Sequence, residues 1–455
     1  MIYRDGRFRR DSVLLCDEAG QIPETTEPHE VLVGSRLDNR ALLPGLINAH
    51  SHAFQRVIRG RTEHRTANDK DSFWTWREMM YSAAARLTPE DVYDASRMAF
   101  LEMALGGITS VGEFHYLHHA PDGSAYDDPN LMAKEVVRAA NDVGLRIALL
   151  RVAYARSGYE TETNPQQLRF TEKDPAIYLK NLDQLGKDLG EIDGSMAWIG
   201  VAPHSVRAVP LDYLKEVIGV ANSKRLPVHM HVAEQPAEVS ACIKEYGRSP
   251  VALLATEGLL NERFTAVHAI HVTPKAVRML AEARALVCAC PTTERNLGDG
   301  IVPVDSFFKE GVRVSLGTDS HAEIDLLEDA RELEYHLRLQ KMERVVLAAT
   351  ADDRQSALAA RLFDCATING AASINAPGGT LAEGRPADFF TVDLNDPSIA
   401  GAASDDLLSA IVFSLSRTAI KDVVVGGKRI VEDGRHAQQE EIVERFKALQ
   451  KKLWA

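Results

Sequence analysis

Eight times along the chain, a short run of apolar and β-branched residues ends in polar side chains and gives way to a segment with helical spacing. The runs are LPGLINAHSH (43–52), ITSVGEFHY (108–116), LRIALLRVAY (145–154), AWIGVAPHS (197–205), LPVHMHVAE (226–234), FTAVHAIHV (264–272), ALVCACPTT (285–293) and VRVSLGTDS (312–320). Between them lie SRMAFLEMALGG, MAKEVVRAANDVG and PKAVRMLAEARA, apolar at helical intervals, the first two closing on Gly as helix C-termini often do. Parallel strands need crossover helices, so eight such units predict an α/β fold: a closed (β/α)8 TIM-type barrel whose functional residues leave the C-terminal strand ends. At 455 residues the chain exceeds a barrel of about 250, leaving room for a smaller attachment.

The flanks supply that attachment. SVLLCD and EVLVG near the start read as short strands, and IKDVVVGGKRIVEDGR alternates apolar and polar residues around Gly-Gly as a hairpin does. The expectation is a small β-sandwich domain formed by both chain ends, residues 1–42 and 371–455, around a catalytic barrel of residues 43–370. The closing EEIVERFKALQKKLWA has an amphipathic helical pattern, suited either to packing within the chain or to a homodimer face.

Charge narrows the partners. With 52 basic and 65 acidic residues the formal net charge is −13, unsuited to a nucleic-acid or anionic-membrane surface, which needs clustered cations. A small-molecule substrate is expected. Five scattered cysteines fit no disulfide framework, MIYRDGRFRR lacks the apolar core of a signal peptide, and no run of 18 apolar residues occurs. A reducing cytoplasm is the setting these features suggest.

Of 15 histidines, eight (His50, His52, His115, His204, His229, His231, His268 and His321) fall at or just beyond a predicted strand end. In a barrel such positions converge on one mouth. His50 and His52 alternate out of the first strand and can aim two imidazoles at one ion; His231 offers a third and Glu234, three residues on, a carboxylate for proton transfer. His268 ends the sixth strand and Asp319 the eighth. Either can ligate a metal or stand beside it, Asp319 also able to accept a proton from water. The plainer alternatives are a core histidine for His268 and a helix N-cap for Asp319. For His229, which shares a face with His231, a place deeper in the barrel is preferred. Three neutral nitrogens and one carboxylate leave a coordination position open, as catalytic zinc sites do, although iron or manganese would accept the same donors. The fourth strand ends in Pro203-His204 and offers no lysine to bridge two metals, so one ion is expected.

PGLINAHSH, HVAEQ, the sixth-strand His268 and LGTDS together resemble the amidohydrolase superfamily, in its single-metal deaminase branch, over nearly the whole chain. The longer strings LPGLINAHSHAFQRVIRGRTE, VAPHSVRAVP, CPTTERNLGDGIVP and SLGTDSHAEIDLLEDARELEY are similar to the members that hydrolyse N-formimino-L-glutamate to N-formyl-L-glutamate and ammonia in histidine degradation. The resemblance implies that His50, His52, His231 and Asp319 ligate one Zn2+. It also implies that Glu234, His268 and Asp319 are catalytic and that Gln55, Tyr116, His204 and Arg207 contact substrate.

Such a substrate carries two carboxylates, which suits the planar fork of Arg207. The run Arg56, Arg59, Arg61 and Arg65 either attracts the anion or forms a solvated face. Trp74 and Trp76 either cover the site or pack a helix. Cys288 and Cys290 are expected to pack as small apolar groups. Two competing readings are a related hydrolase of a heterocyclic amine, guanine or triazine in type, and a noncatalytic barrel scaffold. Arg207, His204 and Tyr116 favour the anionic substrate over the first, and the intact set of ligand-type residues speaks against the second.

Overall fold

The computed structural model describes residues 1–10, 12–23, 34, 36–66, 71–193, 195–349 and 355–455. Eight parallel strands follow one another around a sheet in chain order: β1 (Leu46–Ser51), β2 (Ile108–His115), β3 (Arg146–Ala153), β4 (Ala197–Pro203), β5 (Val228–Val232), β6 (Phe264–His268), β7 (Leu286–Ala289) and β8 (Arg313–Leu316). The sheet closes on itself at its upper rim. Ser51 and Asp319 form a parallel bridge, in which the Asp319 N–H donates to the His50 carbonyl and the His52 N–H to the Asp319 carbonyl, each at 3.0 Å. Gly317 makes that seam possible, since a Cβ there would lie 2.6 Å from the His50 Cβ. The seam thus carries two of the expected ligand residues on one side and a third on the other.

Helices wrap the barrel where the spacing predicts them. Leu131–Val143 ends on Gly144 at φ +89°, and Pro274–Glu282 starts from Thr273, whose side chain accepts the Ala276 N–H. The terminal helix Gln439–Trp454 buries Ile442, Phe446, Leu449 and Leu453, spaced four, three and four residues apart. It lies along the helix Pro89–Leu105, held by Arg97 to Glu441, Arg445 to Asp94 and Lys452 to Asp91, each at 2.6 Å. Its apolar stripe is therefore spent inside the chain.

The second unit is the small β-sandwich domain formed by both chain ends. Among the described residues, its seven-stranded sheet runs in the order Arg435–His436, Lys428–Glu432, Ile420–Val425, Phe389–Asp393, Arg40–Pro44, Ile2–Arg4 and Arg7–Arg9. The Gly-Gly hairpin forms as expected: Gly426 and Gly427 take φ +55° and +72°, the double left-handed turn that matches strand twist. Two expectations change. The run 43–52 divides at Gly45, Arg40–Pro44 joining the small sheet and Leu46 beginning the barrel. SVLLCD forms no strand; at its end the Asp17 carboxylate accepts the Gln21 N–H at 2.8 Å and turns the chain. The first hairpin lies earlier, across Asp5-Gly6. EVLVG, apart from Gly34, lies outside the described residues. Among the described residues, no helix is long and apolar enough to cross a membrane.

Candidate metal centre and substrate pocket

His50, His52, His231 and Asp319, spread over some 270 positions, bring one ligand atom each into a cluster within which all lie within 4.8 Å of one another. Asp319 Oδ1 is 3.4 Å from His50 Nε2 and 3.2 Å from His52 Nε2. The far nitrogens are tethered: His52 Nδ1 to the Phe114 carbonyl at 2.9 Å and His231 Nδ1 to the His204 carbonyl at 3.1 Å. Each ring thus donates through Nδ1 and turns a bare Nε2 inward, the arrangement that fixes metal-ligating histidines. Both nitrogens of His50 are buried without a hydrogen-bond partner. Such an orphan costs about 1–3 kcal/mol unless something binds it. The donor set fits a divalent cation.

Electrostatics point the same way. Burial and neighbouring positive charge keep His50, His204 and His231 neutral, His50 down to about 3. Burial pushes the Asp319 carboxyl up, but its contacts to His50 and His52 outweigh it and hold the group well below the usual carboxylate range. Glu234 goes the other way, raised by burial to about 8. Its Oε1 stands 3.7 Å from His268 Nε2, which is also 3.8 Å from Asp319 Oδ2. The backbone is left-handed at Ala233, His268, Ala269, Asp319 and His321, with φ between +44° and +69°. Such positions cost about 1–3 kcal/mol each and cluster at functional sites.

Above the cluster opens a pocket whose walls include Gln55, Tyr116, His204 and Arg207. Gln55 Nε2 donates to the Tyr116 hydroxyl at 2.7 Å, and Arg207 is held by the Ser157 carbonyl at 2.9 Å. All four expected substrate contacts therefore line one cavity. Trp74 and Trp76 belong to the helix Phe73–Ala84, capped by Ser72, and both line the pocket, Trp76 also packing against the core.

Other histidines separate by depth and side. His229 sits below His231, its Nε2 2.9 Å from the Ser373 carbonyl. His321 lies behind the rim against Ser51 and Thr318, and His115 is buried on the far side of β2 near His118. The helix after β8 is capped by Asp325, which accepts the Leu327 and Glu328 N–H groups, so Asp319 is not its cap.

Three of the four arginines of the run behave differently from either expectation. Arg56 and Arg59 pair with Glu102 at 2.5 and 2.7 Å, and Arg56 and Arg61 lie over the Phe446 and Trp454 rings. Arg56 and Arg61 join the terminal helix to the barrel, Arg59 braces Glu102 and the His321 carbonyl, and none of the three lines the pocket, whereas Arg65 is exposed. Cys288 and Cys290 are buried. A second group, His268, Cys290 and Glu294, also brings ligand-type atoms within 4.8 Å, but one Glu294 oxygen there is already shared by two donors.

Four functional neighbours were not singled out from the sequence. Glu113, buried in β2, accepts the Ser51 hydroxyl at 2.5 Å and the Ala53 N–H at 2.7 Å, and so holds the His-Ser-His turn from behind. Glu238 accepts the Ala233 and Glu234 N–H groups at 3.1 and 3.2 Å, stabilising the strained exit that aims Glu234. Glu294 holds His268 Nδ1 at 3.1 Å. Arg77 enters the pocket, 4.4 Å over Trp74, with its buried Nε unpartnered. Only Arg77 had a sequence signal, one helical turn from Trp74 and Phe73; the glutamates depend on contacts between distant or turn-related segments.

Residues 41–430 match the family described as "Amidohydrolase family". The chain is 39% identical over 407 residues to a formimidoylglutamate deiminase of Pseudomonas aeruginosa strain PAO1, covering 89% of this chain and 88% of that one. It is 29% identical to a 5-methylthioadenosine/S-adenosylhomocysteine deaminase of Caldanaerobacter subterraneus, covering 87% and 82%. Among solved structures, an amidohydrolase from Brucella melitensis superposes with a TM-score of 0.87 at 35% identity, covering 97% and 96%.

Proposed function

The chain belongs to the amidohydrolase family, and from that premise we propose that it hydrolyses N-formimino-L-glutamate to N-formyl-L-glutamate and ammonia with one Zn2+ held by His50, His52, His231 and Asp319. The observation that carries the substrate is a pair of pocket guanidinium groups, Arg77 and Arg207. Among the described residues, neither has a carboxylate within ion-pair distance. A half-buried cation without a counter-charge is costly, and two in one cavity suit a ligand that brings two carboxylates. Tyr116, Gln55 and His204 add polar contacts between the arginines and the metal cluster. The resemblance to the Pseudomonas deiminase supports the same substrate.

When bound, a divalent cation supplies Lewis acidity that brings the pKa of water toward about 7. The residues do the rest. Asp319 and Glu234 face the same point, and one or the other accepts the proton that water releases as it adds to the formimino carbon. His268 Nε2 stands 3.8 Å from Asp319 Oδ2 and donates to the incoming oxygen. Glu234, in a setting that favours its protonated form, gives a proton to the departing nitrogen, and the carboxylate then free takes the proton left on the new hydroxyl, so that the C=O forms as ammonia leaves. The product retains both carboxylates and so leaves the arginines last. Catalysis in the cytoplasm accords with five free cysteines.

Steady-state rates for N-formimino-L-glutamate beside 5′-methylthioadenosine, guanine and a triazine test the assignment. The linear amidine is expected to have the highest kcat/KM by several orders of magnitude. A faster aminopurine or triazine would replace this reading with that of a heterocyclic deaminase.

A further inference from the structure

We propose that Glu294 is a positioning residue that holds the His268 ring through an N–H at Nδ1 and so turns Nε2 toward the reacting group. The proposal deepens the reading above, in which His268 Nε2 faces the reacting carbon. Glu294 lies on the short helix Pro291–Leu297 after β7, and only 2% of it is exposed. Its Oε1 is 2.9 Å from the Cys290 backbone nitrogen and 3.1 Å from His268 Nδ1. A backbone N–H can only donate, so the atom at that place must be an acceptor. An acceptor fixed by Cys290 then requires N–H at the His268 Nδ1 that faces it.

Two consequences follow. Nε2 is the nitrogen left to face the pocket, aimed between Glu234 Oε1 and Asp319 Oδ2 and lacking any hydrogen-bond partner. Rotation of the ring by half a turn is also opposed, because it would set a carbon against the carboxylate oxygen in place of a charge-assisted bond. The left-handed backbone at His268 and Ala269, φ +69° and +51°, brings the ring to this position, and Glu294 locks it there.

The test uses the metal-loaded enzyme with 15N-labelled histidine, the His268 signals being assigned by their loss in His268→Ala. The expected spectrum shows Nδ1 protonated, and this readout needs no substrate. In Glu294→Gln the Cys290 N–H keeps an oxygen in place, so Nδ1 stays protonated and kcat stays within about tenfold. In Glu294→Ala the acceptor is gone; kcat falls by roughly 10- to 100-fold, the scale of lost ligand-orienting contacts, with KM and metal content unchanged. A bare Nδ1 in the parent enzyme, a fully active Glu294→Ala, or a Glu294→Gln as impaired as Glu294→Ala would each overturn the proposal. So would a second equivalent of metal that vanishes with Glu294→Ala. If the parent enzyme fails to hydrolyse N-formimino-L-glutamate, the functional reading falls while the nitrogen spectrum still decides the role of Glu294. If Glu294→Ala does not fold, the parent and Glu294→Gln spectra decide it.

Discussion

Two regions of this barrel bury charge, and they do so in opposite ways. Behind β3, Arg151 and Glu172 form an ion pair with almost no exposure, and every arm is met. Arg151 Nε donates to Asn130 at 3.0 Å, Asn181 donates to Glu172 at 2.8 Å, and the Tyr178 hydroxyl reaches the Arg151 carbonyl at 2.7 Å. At the mouth, His50, His268, Gln55 and Arg77 all keep a buried polar atom without a partner, on a backbone repeatedly left-handed. Burial of charge is common to both. Only the mouth leaves valences open, and that is what separates a binding centre from a structural brace.

The contrast breaks most sharply under substitution of a mouth ligand. Asp319→Ala is expected to abolish turnover and to drop bound metal to a small fraction of an equivalent by elemental analysis, while the folded barrel persists by circular dichroism. Retention of both would remove Asp319 from the centre.

Arg151→Leu should do the reverse. Stranding Glu172 costs about 3–5 kcal/mol in urea unfolding, with KM and metal content of the folded fraction unchanged. The same pair responds to acid. Burial pushes Glu172 up, but the Arg151 contacts bring it down to about 2 from an ordinary 4.5. A depressed carboxylate stabilises fully above its unfolded value and loses that stabilisation as pH falls through the folded one. Urea midpoints should therefore decline between about pH 4.5 and 2, and Arg151→Leu should flatten this window. An unaltered acid profile would show that the brace is not ionic.

Glu234→Gln is expected to keep its metal and lose about 10²-fold or more in kcat, the range of general acid–base catalysis. Arg207→Leu should act on binding: KM for N-formimino-L-glutamate rises by roughly 10- to 100-fold, as for one lost charge-assisted contact, and kcat changes little. A loss confined to kcat would place Arg207 with the reacting atoms and not with a distal carboxylate.

Much of the mouth could be read from the chain because strand exits were marked by histidines at alternating positions, and parity put His50 with His52 and His231 above His229. The barrel was legible for a similar reason, since each strand is short, apolar and followed by its helix. What escaped was whatever depends on two turns meeting. Glu113 looks like any strand residue until Ser51 is seen behind the rim, and Glu294 is one acid in a helix start until His268 is placed against it. The arginines after β1 were misread because their partners, Glu102 and the rings of the terminal helix, come from about 40 to 390 positions away.

The seam at Ser51 and Asp319 has an outcome in time as well as in space. Because the first and the last barrel strands each bring part of the cation's cage, a chain still emerging from the ribosome cannot assemble that cage until β8 has been synthesised. Loading must therefore come late in the birth of the protein, and an ion held by all four side chains certifies a ring that has already closed.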